Sequence, residues 1–303
     1  MEIDNNKSFR LLNLYEKLNR GDVINKKSFA TEFDISEKSV QRDIEDLRTY
    51  LAETYESGDS ITIEYSHAQN GYYLVKKDKE FLTNEEILAI SKVLLESRAF
   101  QKTELEALID KLMLQATPAA RLNIREMILN EKFHYIPLRH NKPLMRRIWD
   151  LSECIYGKEI ITFDYERQDG KITHRTVKPL SIMFSEYYFY LIAWFADDSK
   201  DYPAVFRIDR ISNIVCSGEK FKIPYAERFE DGEFRKRVQF MYSGPLKTIR
   251  FKFSGPSLEA ILDRIPTAQI IEQKDGVTTL KAECYGDGIL MWLRTQGDNV
   301  KFL

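Results

Sequence analysis

The chain is poor in the residues that build covalent or metal frameworks. It has three cysteines in 303 residues, Cys154, Cys216 and Cys284, each more than sixty positions from the next. An odd, scattered set with no Cys-x-x-Cys predicts neither a disulfide framework nor a zinc site. The four histidines, His67, His134, His140 and His174, show no His-Glu-x-x-His spacing, so no metal is expected. There is no Gly-x-x-x-x-Gly-Lys-Ser/Thr, Gly-x-Ser-x-Gly or Gly-x-Gly-x-x-Gly, and Gly286-Asp287-Gly288 reads as a helix cap. No catalytic residue, enzymatic activity or cofactor is therefore expected. No window of eighteen apolar residues is present, so no membrane span is expected. The start, MEIDNNKSFRLL, lacks the basic and apolar regions of a secretory signal, which predicts a cytoplasmic protein. Net charge is only −2, so nucleic-acid binding has to rest on a local constellation.

Against these absences stands strong periodicity. Leu11, Leu14, Tyr15 and Leu18 form the apolar stripe of a first helix, and 26–33 fits a short second one. Ser36 is an N-cap for a third, SEKSVQRDIEDLRTYL, whose inner stripe is Val40, Ile44, Leu47 and Leu51. ITIEY and YYLV flank an Asn70-Gly71 turn. Three helices and a hairpin are the order of a winged helix-turn-helix. Residues 81–130 read as a helical connector, with capping boxes expected at Thr83–Glu86 and Thr103–Glu106. Its apolar surface exceeds what one small bundle needs, so part is expected to bury in a partner chain. A helix over 144–156 precedes short strands at the spacing of a small β-barrel: EIITFDYE, KITHRTVKP, LSIMF, EYYFYLIAWF and AVFRIDRI. The last sixty residues read β-α-β-β-α-β, a ferredoxin-like order.

The third helix carries the first candidate site. Opposite its buried stripe lie Lys38, Arg42 and Glu45, flanked by Ser39 and Gln41. Cations and short polar groups at a helix start suit a major groove. The DNA-contacting set expected is Lys38, Ser39, Gln41, Arg42 and Arg48, with His67 and Asn70 on the hairpin. The alternative is a solvated helix face. Residues 36–52 hold one more acid than cation, which predicts modest affinity or a need for dimerisation.

The aromatic strand carries the second. Alternation puts Tyr187, Phe189, Leu191, Ala193 and Phe195 on one face and Tyr188, Tyr190, Ile192 and Trp194 on the other. Tyrosine hydroxyls need partners, so the Tyr188/Tyr190 face is the expected edge of a binding surface. Arg175, Arg207 and Arg210 supply charge, and Tyr165, His174 and Ser181 polar groups, as a phosphate or a stacked base requires. The structural alternative pairs Asp209 with Arg207 or Arg210. A further stretch, Phe234–Phe253, holds Arg235, Lys236, Arg237, Lys247, Arg250 and Lys252 and no acid. It reads equally as a nucleic-acid steering patch or, for Lys247, Arg250 and Lys252, as protection of an edge strand.

SVQRDIEDL resembles the recognition helix of DeoR-like winged-helix regulators. Phe189-Tyr190-Leu191, RTVKPLSI (175–182), FRIDRI (206–211) and the tail ending LMWLRTQGDNVKFL resemble the WYL-domain transcriptional regulators with their C-terminal extension. Phe189 stands where that family has its name-giving Trp, which keeps an aromatic and removes an indole N–H. The resemblance implies a multidomain α+β chain: a winged helix-turn-helix at 1–79, a helical connector and dimerisation segment at 80–135, an Sm-like β-barrel sensor at 136–220 and a ferredoxin-like extension at 221–303. It implies a homodimeric regulator of a double-stranded DNA operator, expected to be a repressor, with a nucleic-acid or nucleotide effector bound to the barrel. Some family members control phage-defence loci and others answer DNA damage. The alternatives are an activator that needs single-stranded DNA, and an RNA-binding Sm-like module.

Overall fold

The structure, a computed structural model, describes residues 6–54, 61–76, 82–223 and 228–303. The first five residues and the boundary expected at 79/80 lie outside them. The chain is mixed α+β and divides into two compact units, residues 1–137 and 138–303.

In the first unit, α1 (Lys7–Asn19), α2 (Lys26–Glu32) and α3 (Glu37–Thr54) precede a hairpin of β1 (Ile61–Ser66) and β2 (Gly71–Lys76). Each helix starts at a side chain that accepts from an orphan backbone N–H: Asn6 from Ser8, Asn25 from Ser28 and Ser36 from Ser39. The apolar stripes of the three helices meet in one core with Ile63 and Leu74 of the hairpin. Ile24, between α1 and α2, bridges to Tyr72 and ties the hairpin to the helices. One ion pair lies inside this assembly. Arg10 of α1 donates from Nε and Nη2 to both oxygens of Asp43 on α3, at 2.9 and 3.1 Å.

α4 (Asn84–Ser97), α5 (Lys102–Met113) and α6 (Pro118–Phe133) follow, with Ile87, Leu105, Ile109, Met113 and Ile128 at their centre. The Thr83–Glu86 capping box forms. The second expected box does not: α5 starts earlier, with Gln101 at its cap, and Thr103 is already inside the helix. On α6 Leu122, Leu129 and Phe133 share one exposed stripe.

The second unit opens with α7 (Met145–Gly157). It packs on a five-stranded antiparallel sheet of order β6-β5-β4-β3-β7. The strands are β3 (Glu159–Glu166), β4 (Ile172–Ser185), β5 (Tyr188–Phe195), β6 (Ala204–Arg207) and β7 (Ile211–Lys220). KITHRTVKP and LSIMF, expected as two strands, form the single strand β4, which absorbs Pro179 in a register shift between Pro179 and Ser181. Proline is tolerated there because a bulge needs no ladder donor. AVFRIDRI is likewise not one strand, because a 3-10 turn at Ile208–Arg210 separates β6 from β7.

Cys154 and Cys216 form a disulfide, where the scattered cysteines had predicted no disulfide framework. They are 62 residues apart in sequence, but α7 packs over β3 and β7 pairs with β3 so that Cys216 lies opposite Ile161. Their Cα atoms are 6.5 Å apart, within bridging range. Sequence distance gave no sign of this because the proximity is made by the sheet. Cys284 is buried and free, its thiol pushed up to about 11 by burial.

After α8 (Asp231–Arg237) come β8 (Leu246–Phe253), α9 (Leu258–Arg264), β9 (Gln269–Lys274), β10 (Val277–Tyr285), α10 (Gly288–Arg294) and β11 (Val300–Phe302). The four strands form one antiparallel sheet of order β11-β8-β10-β9, and Phe251, Leu280, Ile261 and Leu293 lie in its core with the two helices.

Removing one partner of a buried ion pair strands the other without solvent, at a cost of roughly 3 kcal/mol or more. Asp43→Ala is therefore expected to lower the unfolding free energy of the first unit by that amount, measured by urea titration followed by far-UV circular dichroism.

Candidate functional site

The first candidate surface is the outer face of α3. Lys38, Arg42 and Glu45 are exposed on it, as the helical spacing requires. The excess of acid on this helix does not reach that face. Asp43 is turned inward to Arg10, and Asp46 is paired with Lys7 at 2.8 Å. Ser39 sits beside the cap, its hydroxyl 3.0 Å from that of Ser36.

Two of the residues nominated for DNA contact are held by the protein itself. Gln41 accepts at Oε1 from Tyr72 (2.9 Å) and Lys26 (3.2 Å) and donates to Glu45 (2.6 Å). Arg48 donates through Nε and Nη2 to the Ile63 carbonyl, at 3.0 and 2.8 Å, and lies over the Tyr72 ring. Both fasten the hairpin to α3. His67 is exposed in the turn of the hairpin. Asn70 adopts a left-handed φ of 48°; its Oδ1 accepts from the Tyr65 hydroxyl and its carbonyl from Asn25. Lys26, at the start of α2, was not nominated, yet it reaches Gln41.

The second candidate lies at one end of the five-stranded sheet. Register sets Tyr190 opposite Arg207, and Arg207 lies 3.4 Å from the centroid of the Tyr188 ring. Tyr188 and Tyr190 meet edge to face at 6.3 Å. Arg207 is held flat by a two-pronged bond to Asp209, at 3.0 and 2.8 Å, and Asp209 is buried. Burial opposes the charge of Arg207, and Asp209 together with Tyr188 and Tyr190 more than restores it. The Tyr165 hydroxyl accepts from the backbone N–H of Arg207 at 3.4 Å. Arg210, half-buried, ends the same turn.

The segment before α7 completes the cluster. Lys142 Nζ donates to the Asp209 carbonyl at 2.7 Å, and Arg147 to the Ile208 carbonyl at 3.1 Å. The His140 ring lies 6.5 Å from Tyr188. His140 Nδ1 accepts from the Lys142 N–H at 3.0 Å, so the neutral ring carries its proton on Nε2. That Nε2 is buried and has no hydrogen-bond partner among the described residues. Burial lowers the pKa of His140; Asp209 opposes this, while Arg207, Lys142 and Arg147 reinforce it. Burial also pushes the Tyr190 phenol up to about 12, partly offset by Arg207.

Three nominated residues are not part of this cluster. Arg175 lies over Phe195, on the core face of the sheet. His174 is paired with Asp164 at 3.0 Å, and hydrogen bonds from Asn213 and His174 hold that carboxyl below the usual range. Ser181 donates to Asp231 of α8. The outer face of β5 is also less open than alternation alone suggests. Ile192 is fully buried and Tyr190 half-buried, because Phe234 and Val238 pack over them. The residues sequence reasoning missed, His140, Lys142 and Arg147, lie in RHNKPLMRR (139–147), a run of cations without an acid that was legible as a basic cluster.

Residues 148–216 match the family model of the WYL domain, and this stretch is a WYL domain. That match covers less than half of the chain. No curated protein matches the sequence. Among solved structures the chain is similar to proteasome accessory factor B/C (PafBC) of Arthrobacter aurescens, at 17% identity and a TM-score of 0.30, over 98% of this chain and 44% of that one. It is also similar to a CRISPR Cas-related protein, at 14% identity and a TM-score of 0.37, over 99% and 76%. The chain thus spans less than half the length of the first of these.

A histidine with a depressed pKa binds fewer protons folded than unfolded as pH falls below its ordinary value near 6.5. Stability is then lost on acidification through that window. The His140 resonance is expected to titrate below 6.5 by NMR, and His140→Gln to flatten the loss of stability on acidification from about pH 7 to 5.

Proposed function

We propose that this chain is a DNA-binding transcriptional regulator that senses a nucleic-acid or nucleotide effector through its WYL domain. The observation that carries the reading is the donor-rich cluster beside Tyr188. A buried N–H at His140 without an acceptor among the described residues, a stacked guanidinium and two tyrosines at a sheet end meet the needs of a ligand with a flat base and an anionic oxygen. A buried donor left unpaired costs about 1–3 kcal/mol, which a ligand acceptor would recover.

In this reading residues 1–79 are a winged helix-turn-helix that places α3 in the major groove, with Lys38 and Arg42 reaching bases or phosphates. The hairpin near His67 approaches the backbone. Gln41 and Arg48 act as positioning residues, because their polar atoms already fix the hairpin. Residues 80–135 connect the head to the rest, and the exposed Leu122, Leu129 and Phe133 carry dimer contacts. The WYL domain is read as an Sm-like barrel and residues 221–303 as a ferredoxin-like extension. The protein works in the cytoplasm without cofactor or catalysis. Effector binding shifts a two-state equilibrium that sets operator affinity. Release on effector binding makes it a repressor, and a phage-defence locus is one setting for such a switch. The second reading, an activator that requires single-stranded DNA, reverses only the sign of the coupling.

A mobility-shift assay on the operator separates these. Loss of the shifted complex with a short oligonucleotide marks a repressor, and gain marks an activator. Arg42→Ala is expected to weaken operator binding at least tenfold with the fold intact; unchanged affinity would remove α3 from the groove. Arg207 is a poor probe of sensing, because its removal strands buried Asp209. Tyr188→Leu spares that pair and is expected to blunt the effector response at least fivefold while operator affinity without effector is unchanged.

A further inference from the structure

The basic stretch Phe234–Phe253 resolves into two groups. Arg235 donates to the Phe184 carbonyl, Lys236 and Arg237 bond Glu233, and Lys247 pairs with Asp287. These four are engaged by the fold. Arg250 and Lys252 have no such side-chain partner among the described residues. They point away from the core, since Phe251 and Phe253 beside them are buried.

Edge protection does not account for them. Along 251–253 strand β8 is hydrogen-bonded to β11 on one side and β10 on the other, and the Leu303 N–H bonds the Arg250 carbonyl. Gatekeeping cations belong on unpaired edges. The register adds two more cations to the same face. Lys281 of β10 lies directly opposite Arg250, and Lys301 of β11 directly opposite Lys252. Directly opposed like charges repel, so each pair costs the sheet stability unless a counter-charge covers it. The acids on this face do not meet that need. Glu283 is bonded to Arg237, and Glu272 lies across β10, opposite Thr279.

We propose that this open sheet face, through Arg250, Lys252, Lys281 and Lys301, binds the phosphate backbone of duplex nucleic acid without reading its sequence. The four cations lie on three neighbouring strands, β11, β8 and β10, spaced about 5 Å apart, so that their flexible side chains can reach successive phosphates. The other outward positions of β8 and β10 are Leu246, Thr248, Val277, Thr279, Glu283 and Tyr285; the one aromatic among them, Tyr285, is half-buried against Phe234, so the cations have no open ring beside them on which an unstacked base could lie. That favours a duplex, with its denser charge, over a single strand. The face shares no residue with the outer surface of α3 or with the cluster at Tyr188, and it does not depend on either assignment.

The test is the salt dependence of binding by the full chain to a labelled duplex of arbitrary sequence, read by fluorescence anisotropy. Lys38→Ala/Arg42→Ala is the background, so that binding by α3 is removed. Adding Arg250→Gln, Lys252→Gln, Lys281→Gln and Lys301→Gln is expected to weaken binding at least tenfold at low salt. It is also expected to reduce the slope of log K against log salt by up to about 3.6, at about 0.9 for each of the four phosphates no longer neutralised. These side chains are on the surface, and an unchanged thermal melt checks that the fold survives. An unchanged slope, or no binding by the background protein at low salt, would overturn the proposal. An effect seen with a single strand but not with the duplex would overturn the duplex assignment.

Discussion

A carboxylate shut away from water must be paired, and Asp209 is that carboxylate in the WYL domain. It is 4% exposed, and two hydrogen bonds from Arg207 neutralise it. The same bonds fix the guanidinium flat against Tyr188. Its backbone carbonyl is taken by Lys142, which brings the segment carrying His140 to the same place. One buried charge thus orders an arginine, a lysine, a histidine and two tyrosines that come from three separate parts of the chain. The arrangement leaves the His140 Nε2 donor as the unsatisfied group among the described residues of the cluster, near a stacked cation and aromatic rings.

The three helices and hairpin of the first unit rest on a parallel device. Arg10 and Asp43 bury a charge pair between α1 and α3, and Arg48 and Gln41 fasten the hairpin to α3 through Ile63 and Tyr72. These bonds remove acid from the face of α3 or fix it in place. Lys38 and Arg42 are left exposed, with no side-chain partner among the described residues. A helix whose sequence is net negative therefore offers a cationic face, because an acid paired inside the fold no longer opposes a phosphate outside it.

Sequence periodicity was enough to place most helices and strands, since apolar spacing and caps are local signals. The exposed face of α3 was legible for the same reason. The second site was legible only in its centre. Tyr188, Tyr190 and Arg207 could be grouped in advance because they share strands with clear alternation. Arg175 and His174 lie away from that cluster, since the two faces of a strand cannot be told apart until the core is known. Ser181 is taken by Asp231 of α8, a helix that the sequence pattern did not reveal. His140, Lys142 and the disulfide between Cys154 and Cys216 depend on packing between distant segments. Nothing in local spacing encodes that packing, although the cation run at 139–147 was a usable hint. The cations of β8 were visible as a stretch, but only the sheet register separates those engaged by the fold from those facing outward.

Hydrogen–deuterium exchange of the full chain, with and without a short single-stranded oligonucleotide, tests the sensing claim most directly. The account predicts slowed exchange at residues 139–147 and 204–211, where His140, Lys142, Arg207 and Asp209 converge. Bound oligonucleotide with no change in those two segments, and protection elsewhere, would contradict it.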